Sequence, residues 1–116
     1  MNDPDCLFCN FASGKIPANI VYDTEDVLAF RDINPQAPSH ILIIPRRHIA
    51  TINDLDDSDA ELVGRLLTAA RDIARQEGTD SAGYRVTMNC NKAAGQSVFH
   101  LHLHLLGGRN FAWPPG

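Results

Sequence analysis

The sequence predicts an α+β domain in which one long helix covers one face of a mainly antiparallel sheet. Three observations support this fold class: three strand-like segments follow one another, a strongly amphipathic helix comes next, and no helix separates the last two strand-like segments. With 116 residues, the chain suits one compact domain spanning residues 1–116. We therefore expect a five-stranded antiparallel sheet, one long helix and a short N-terminal helix.

The composition argues against several classes of protein. Hydrophobic residues make up 44% of the chain and charged residues 21%, as in ordinary globular proteins. The longest strongly apolar run, Ile41–Ile44, is far shorter than the ~20 residues of a membrane-spanning helix. The segment Met1–Asp5 lacks the basic start and apolar stretch of a signal peptide, so we expect a cytoplasmic protein with no membrane partner. A net charge of -4 makes a nucleic-acid partner unexpected.

The N-terminal half is expected to form a short helix and three strands. Apolar residues at helical spacing predict the helix, and a polar turn separates the first two strands. A loop that contains two prolines precedes the third strand, which is apolar throughout its centre. The predicted ranges are Leu7–Ala12, Ile20–Tyr22, Val27–Arg31 and His40–Pro45.

The C-terminal half contains the clearest element, a helix with an apolar stripe at the 3.6-residue period. The stripe consists of Leu62, Val63, Leu66, Leu67, Ala70, Ile73 and Ala74. Ser58 and Glu61 fit a capping box at its start, and Gly78 is expected just beyond its end. Two further strands are predicted at Tyr84–Asn91 and Phe99–Leu105.

Three histidines alternate with leucines in the segment His100–His104. In a strand this alternation places all three imidazoles on one face and the leucines on the other, where we expect the long helix to cover them. Such histidines can bind a metal, or a neutral imidazole can act as a nucleophile. The preceding residues Gly95, Gln96 and Ser97 offer backbone, amide and hydroxyl groups to phosphate oxygens, which favours nucleophilic catalysis.

The chain has three cysteines, and two of them form a Cys-x-x-Cys pair at Cys6 and Cys9. In a protein without a secretory signal, such a pair indicates metal or redox chemistry before a structural disulfide. Cys90 stands alone in an apolar-looking strand and is expected to be a small buried side chain.

The segment Gly95–Arg109 matches the His-φ-His-φ-His-φ-φ signature, where φ is an apolar residue, and so resembles the histidine triad (HIT) family. Asp32–His40, Ile44–Ile49 and the ending Trp113–Gly116 are similar to its nucleotide-binding, purine nucleoside phosphoramidase branch. The resemblance runs from about Asp5 to Gly116. It implies a HIT-like fold and a homodimer in which two five-stranded sheets join into one ten-stranded sheet.

The resemblance also implies an activity, hydrolysis of the P–N bond of nucleoside 5′-phosphoramidates such as adenosine 5′-phosphoramidate or adenylyl-lysine. The reaction would pass through a covalent nucleotidyl-histidine on His102, and His104 would contact the phosphate or protonate the leaving amine. His40 and His100 would orient and polarise these two, and Ser97 would hydrogen-bond the phosphate or leaving group. By motif position, the nucleotide-binding residues are Leu7, Phe8, Phe11, Phe30, Asp32, Ile33, Leu42, Asn89, Gly95, Gln96, Ser97, His102 and His104.

Two more features follow from the resemblance. Cys6, Cys9, His48 and His100 match the ligands of a structural zinc ion in several histidine triad proteins, whereas catalysis itself would require no cofactor. Trp113 would lie near the active site of the partner subunit.

Other functions remain open at the level of sequence. Another branch of the family hydrolyses dinucleoside polyphosphates with the same nucleophile, although the Trp-Pro-Pro-Gly ending argues against that branch. A nucleotide-binding adaptor that acts through protein partners, with incidental catalysis, is also compatible with the residues. A metalloenzyme is the weakest alternative. The sequence names neither the physiological substrate nor the preferred purine.

Overall fold

The computed structural model describes residues 3–116. A short N-terminal helix is followed by three strands, a long helix and two more strands, so the predicted order of elements is confirmed. These elements are α1 (Leu7–Ala12), β1 (Ile20–Asp23), β2 (Val27–Arg31), β3 (Ser39–Pro45), α2 (Ala60–Glu77), β4 (Tyr84–Thr87) and β5 (Leu103–Gly107). Short 3-10 helices lie at Ile52–Asp54, Asp57–Asp59 and Lys92–Ala94.

The strands form one five-stranded sheet in the order β1-β2-β3-β5-β4. Every neighbouring pair is antiparallel, which confirms the predicted α+β class. In the pairing register, Phe30 lies opposite Leu42, and Leu42 lies opposite His104. These three side chains therefore form a row across β2, β3 and β5 on one face of the sheet.

Strand β3 is buried on both faces, which accounts for its uninterrupted apolar run. Ile41 and Ile43 belong to the cluster that α2 covers, whereas Leu42 and Ile44 face the cluster around α1. The sheet thus separates two apolar layers. The larger layer contains Leu101, Leu103 and Leu105 packed with Leu66, Ala69, Ala70 and Ile73 of α2, which confirms the expected cover of the leucine face.

The C-terminal end of α2 is as predicted, whereas its N-terminal end is not. Gly78 has a left-handed backbone with φ of 75°, and its N–H bonds to the last carbonyls of the helix, as expected. The predicted Ser58–Glu61 capping box is wrong, because the chain enters α2 through a 3-10 turn that contains Ser58. The capping box is formed instead by Asp56 and Asp59 at that turn.

Three predictions of burial or strand length are also wrong. Leu67 is 51% exposed, because the buried stripe centres on Leu66 and Ile73, about 100° around the helix from it. Strand β4 ends at Thr87 rather than Asn91. Its apolar side chains Tyr84 and Val86 share the face of Leu105 but are exposed, because β4 is an edge strand beyond the cover of α2. The chain has then left the sheet before Cys90, which is only partly buried.

The helices of residues 3–116 are all too short or too polar to cross a lipid bilayer.

An ion pair fastens the last turn of α2 to the sheet. Arg31 donates two hydrogen bonds to the carboxylate of Glu77, at 2.8 and 2.9 Å, and the Ser39 hydroxyl donates a third at 2.9 Å. The Arg31 bonds hold the pKa of Glu77 below its ordinary value, with a smaller contribution in the same direction from Ser39, while burial opposes them. The charged form of Glu77 therefore stabilises the fold.

We expect Glu77→Gln to lower the free energy of unfolding at pH 7 by about 1 kcal/mol, since Arg31 is partly exposed and the pair is screened. A carboxyl with a depressed folded-state pKa stabilises above its unfolded pKa and loses that contribution as pH falls through the folded pKa. The difference between the two proteins should therefore shrink on acidification below about pH 4. Urea unfolding between pH 7 and pH 3 measures it.

The matched control is Glu25→Gln, which removes an exposed carboxylate from the turn between β1 and β2. It should change the free energy of unfolding little at either pH. If the Glu77→Gln difference stays constant down to pH 3, the charge of Glu77 does not contribute to stability.

Candidate active site

A cavity of about 550 Å³ opens on the face of the sheet that α1 covers. Its walls are mostly apolar, and its polar groups include a carboxylate, a hydroxyl and two imidazoles. The predicted residues that line it are Leu7, Phe8, Phe11, Phe30, Asp32, Ile33, Leu42, Ser97, His102 and His104. The structure therefore brings together ten of the thirteen residues predicted to bind a nucleotide, while their roles stay predictions.

Sequence reasoning missed five lining residues, namely Pro17, Ala18, Asn19, Arg31 and Val98. Arg31 and Val98 adjoin Asp32 and Ser97 in the chain, and this adjacency was the available signal. The other three lie in the irregular segment between α1 and β1, which packs against β2 where the N–H of Arg31 donates to the carbonyl of Asn19 at 3.0 Å. No local pattern in the sequence indicates that packing.

The histidine segment is less regular than predicted, because β5 begins only at Leu103. The N–H of Leu101 donates to the carbonyl of Ile49 at 2.6 Å, outside the strand ladder, so the residues before Leu103 are held by a loop. The imidazoles of His102 and His104 still lie together, with ring centroids 5.1 Å apart. Phe99 does not join the leucine face and is 47% exposed.

His102 is held in one tautomer by the main chain. Its Nδ1 lies 2.7 Å from the carbonyl oxygen of His100. Because a carbonyl only accepts, Nδ1 carries the proton and Nε2 keeps a free lone pair. Burial lowers the pKa of His102, although the His100 carbonyl and the Asp32 charge oppose this. His102 is therefore a neutral imidazole at neutral pH, with an unprotonated nitrogen available for chemistry.

His40 and His104 form a second ordered pair. The backbone N–H of Gln36 donates to Nδ1 of His40 at 3.0 Å, so the His40 proton resides on Nε2. This Nε2 lies 2.9 Å from Nδ1 of His104 and 3.4 Å from Asp32, and the shorter contact identifies His104 as its acceptor. His104 then carries its own proton on Nε2. Burial lowers the pKa of His104 to about 4, helped by the neighbouring imidazoles and opposed by Asp32.

Three predicted nucleotide-binding residues do not line the cavity: Asn89, Gly95 and Gln96. Gln96 is buried, and its amide is fully used by the main chain. Its oxygen accepts from the N–H of Asn91 at 2.8 Å, and its nitrogen donates to the carbonyls of Ala50 at 2.9 Å and Val98 at 3.1 Å. Gln96 therefore positions the loop that presents Ser97.

The other two residues differ from Gln96. Gly95 has φ of 89°, a left-handed conformation that ends the turn before the loop and favours glycine. Asn89 is partly buried beyond the end of β4. The predicted subunit-contact residue, Trp113, is 83% exposed and does not line the cavity of its own chain.

A second cluster lies beside the pocket and joins Cys6, Cys9, His48 and His100, whose potential ligand atoms all lie within 4.8 Å of one another. Nδ1 of His100 is 3.4 Å from each of the two sulfur atoms and 3.3 Å from Nδ1 of His48. The sulfur of Cys9 is 3.3 Å from Nδ1 of His48. Adjacent ligands of a tetrahedral zinc ion are separated by roughly 3.3–3.8 Å when Zn–N and Zn–S have ordinary lengths.

The protonation of the cluster also suits a metal ion. Nε2 of His100 lies 2.8 Å from the carbonyl of Pro45, so it carries the proton and leaves Nδ1 as a free donor atom. Burial lowers the pKa of His100 to about 4, with smaller contributions from His48 and His102. His100 is completely buried. The residues therefore fit a closed, four-ligand metal site made of two sulfur and two nitrogen donors.

Asp32, His40 and His104 also bring three potential ligand atoms within 4.8 Å of one another. Their arrangement is accounted for by the hydrogen bonds of the His40–His104 pair, in which Nε2 of His40 is the donor. A metal ion on that atom would have to displace this bond. This trio consequently gives the metalloenzyme alternative little support.

Comparisons with known proteins agree with this geometry. The family profile described as HIT domain matches residues 13–111. The chain is 50% identical to the purine nucleoside phosphoramidase of Escherichia coli strain K12, over 90% of this chain and 88% of that protein. It is 46% identical to a 14 kDa zinc-binding protein of Zea mays, over 100% and 91%. The crystal structure of a HIT family hydrolase from Legionella pneumophila superposes with a TM-score of 0.95 at 55% identity, over 97% of this chain and 100% of the other.

We expect Gln96→Leu to lower the free energy of unfolding by about 1–3 kcal/mol, because it leaves an N–H group and two carbonyls without their partner. The control is Ser97→Ala, which changes an exposed neighbour in the same loop and should be close to neutral. Urea unfolding of both variants gives the comparison. Equal midpoints would show that water replaces the buried amide without cost.

Proposed function

Because the chain belongs to the HIT domain family, we propose that it is a purine nucleoside phosphoramidase, which hydrolyses the P–N bond of nucleoside 5′-phosphoramidates. The predictions of an enzyme and of a HIT family hydrolase are confirmed. The observation that carries the finer proposal is the fixed tautomer of His102, whose free Nε2 belongs to a side chain that lines a nucleotide-sized cavity. The 50% identity with the E. coli phosphoramidase supports the same substrate class.

The row formed by Phe30, Leu42 and His104 suggests how a nucleotide lies in the cavity. Adjacent strands are about 4.8 Å apart, so the row extends roughly 10 Å from the imidazole to the aromatic ring. A phosphate at the histidines would leave the purine against the apolar wall of Phe8, Phe30 and Leu42. Asp32 lines the same cavity, and its carboxylate is an acceptor suited to the ribose hydroxyls.

In the first step, Nε2 of His102 attacks the α-phosphorus. A bond forms between this nitrogen and phosphorus, and the P–N bond to the amine breaks. The carbonyl of His100 stabilises the cationic imidazole that results, since it already accepts a hydrogen bond from Nδ1–H. The pocket thus supplies a nucleophile that needs no prior deprotonation.

The departing amine must gain one proton, because an amide anion is a poor leaving group. His104 would take up a proton from solvent on its imidazole ring and pass Nε2–H to the amine as the P–N bond breaks, which restores the neutral imidazole. General acid help of this kind contributes about 10²–10⁴-fold. Ser97 would hydrogen-bond the phosphate or the amine. In the second step a water molecule attacks phosphorus, the bond to His102 breaks, and the nucleoside monophosphate leaves while one water proton returns to solvent.

The four-ligand cluster is part of the proposal as a structural zinc site. Cys6, Cys9, His48 and His100 would hold the ion, whose role is to tie α1 to the sheet. Side chains would fill all four coordination positions of the ion, so none would be left for a substrate. The zinc-binding relative from maize supports this choice of metal.

The proposal includes a homodimer in which the β4 edges of two copies pair into a ten-stranded sheet. The edge position of β4 and its exposed apolar residues Tyr84 and Val86 support this arrangement. The exposed Trp113 would then reach the partner's pocket. The three free cysteines are consistent with a reducing compartment such as the cytoplasm.

We expect His102→Ala to lower kcat/KM for adenosine 5′-phosphoramidate by at least about 10⁴-fold, since the covalent route is lost. Intact-protein mass spectrometry during turnover should detect a transient adenylyl adduct on the native chain and none on the variant. The control is Gln76→Ala on the exposed face of α2, which should keep the native rate.

Two outcomes would contradict this assignment. Undiminished turnover by His102→Ala would exclude His102 as the nucleophile, and faster cleavage of diadenosine triphosphate than of the phosphoramidate would favour the dinucleoside polyphosphate branch. Absence of turnover by the native chain, with retained binding of adenosine monophosphate, would favour the adaptor function.

We expect one zinc ion per native chain, and less than a tenth of that amount in Cys9→Ser. The thermal midpoint of this variant should fall by several degrees, because an ion that binds only the folded state stabilises it. Cys90→Ser is the matched control and should keep both the zinc and the midpoint, since Cys90 is outside the cluster. Metal analysis and thermal unfolding measure the two effects. Full zinc occupancy in Cys9→Ser would exclude the proposed ligand set.

A further inference from the structure

One residue, His100, connects the metal cluster to the candidate active site. The imidazole of His100 is a member of the cluster, and its backbone carbonyl holds Nδ1–H of His102 at 2.7 Å. The imidazole is itself fixed from the other side by the Pro45 carbonyl at 2.8 Å. A metal ion that fixes the His100 ring therefore also restricts the His100 carbonyl, which orients the proposed nucleophile His102.

A second connection runs through α1. Leu7 and Phe8 lie between the two cysteines in the chain, and both line the cavity. The ring of Phe8 meets the His102 ring edge-on, with centroids 5.1 Å apart, and is 6.0 Å from the His100 ring. Helix α1 has only six residues, too few to be stable without tertiary contacts, so its position depends on those contacts, including the ones that hold Cys6 and Cys9.

We propose that the metal cluster and the nucleotide pocket are energetically coupled, so that a metal ion on the cluster raises the affinity of the pocket for a nucleoside monophosphate. His100 and Phe8 are the positioning residues that connect them. The inference rests on the proposed function, because it takes the pocket to be a nucleotide site. It assigns the metal a regulatory influence on substrate binding, beyond stabilising the fold.

Coupling between two binding sites is reciprocal. If the metal raises nucleotide affinity by some factor, bound nucleotide must raise metal affinity by the same factor, and such factors usually lie between about 5 and 150. A metal that only stabilised the fold, without differing between the free and nucleotide-bound states, would give a factor of one in the folded protein. The change in metal affinity on nucleotide binding therefore distinguishes coupling of the two sites from simple stabilisation of the fold.

The experiment uses the zinc-loaded protein and adenosine 5′-monophosphate. Zinc affinity is measured by competition with a chromophoric chelator, with and without saturating nucleotide, and we expect an increase of about 10-fold with nucleotide. Calorimetry on the metal-free protein should give a nucleotide Kd raised by the same factor, provided that its circular dichroism shows a folded chain. A zinc affinity that does not respond to nucleotide would overturn the proposal.

A second measurement does not require the metal-free protein to fold. Co²⁺ bound by two sulfur and two nitrogen ligands absorbs visible light, and its bands respond to ligand geometry. Titration of the Co²⁺-loaded protein with adenosine 5′-monophosphate should shift these bands, with saturation at the Kd found by calorimetry. Calorimetric binding with an unchanged spectrum would contradict the connection through His100.

A pair of variants on α1 tests the role of Phe8. Phe8→Leu removes the ring that contacts His102, and we expect it to keep one metal per chain while the coupling factor falls at least about 3-fold. Phe11→Leu is the matched control: the Phe11 ring also lines the cavity, but it stacks on Phe8 and meets Phe30 edge-on rather than contacting a histidine. It should weaken nucleotide binding and leave the coupling factor unchanged. Equal factors in both variants would overturn the role of Phe8.

These measurements distinguish the two proposals. If adenosine 5′-monophosphate does not bind the zinc-loaded protein, the proposed function fails. If it binds and the zinc affinity is the same with and without it, only the coupling fails.

Discussion

The structure depends on the burial of alternate side chains in the segment Leu101–Leu105 beneath α2. Because Leu101, Leu103 and Leu105 are held in that apolar layer, His102 and His104 between them face the opposite side of the sheet. Hydrophobic burial on the other face therefore places these two imidazoles, and hydrogen bonds then orient them. The strand and the helix, packed against each other, hold the side chains of the candidate active site in position.

The same alternation explains why much of the molecule was predictable from sequence. Periods of 3.6 and 2 identified α2, the strands and the leucine face, because burial selects side chains at those spacings. The Cys-x-x-Cys pair indicated metal chemistry, and its cluster with His48 and His100 came from a family resemblance. Ten pocket residues came from the same source. Periodicity alone could not have distinguished Phe8 or Phe30 from ordinary core residues.

What the sequence did not predict depends on contacts between distant segments. The place where β5 begins is set by the bond from Leu101 to Ile49, and the role of Gln96 depends on its bond to the carbonyl of Ala50. The exposure of Tyr84 and Val86 follows from the position of β4 at the edge of the sheet. None of these partners lies within the window over which local patterns carry information.

Main-chain atoms determine the proton positions of the two histidines that matter most. The carbonyl of His100 fixes His102, and the N–H of Gln36 fixes His40 and, through it, His104. Backbone groups are the same whichever side chain is attached. A change of side chain at the exposed position 36 therefore leaves the donor to His40 in place, whereas proline, which has no N–H, would remove it.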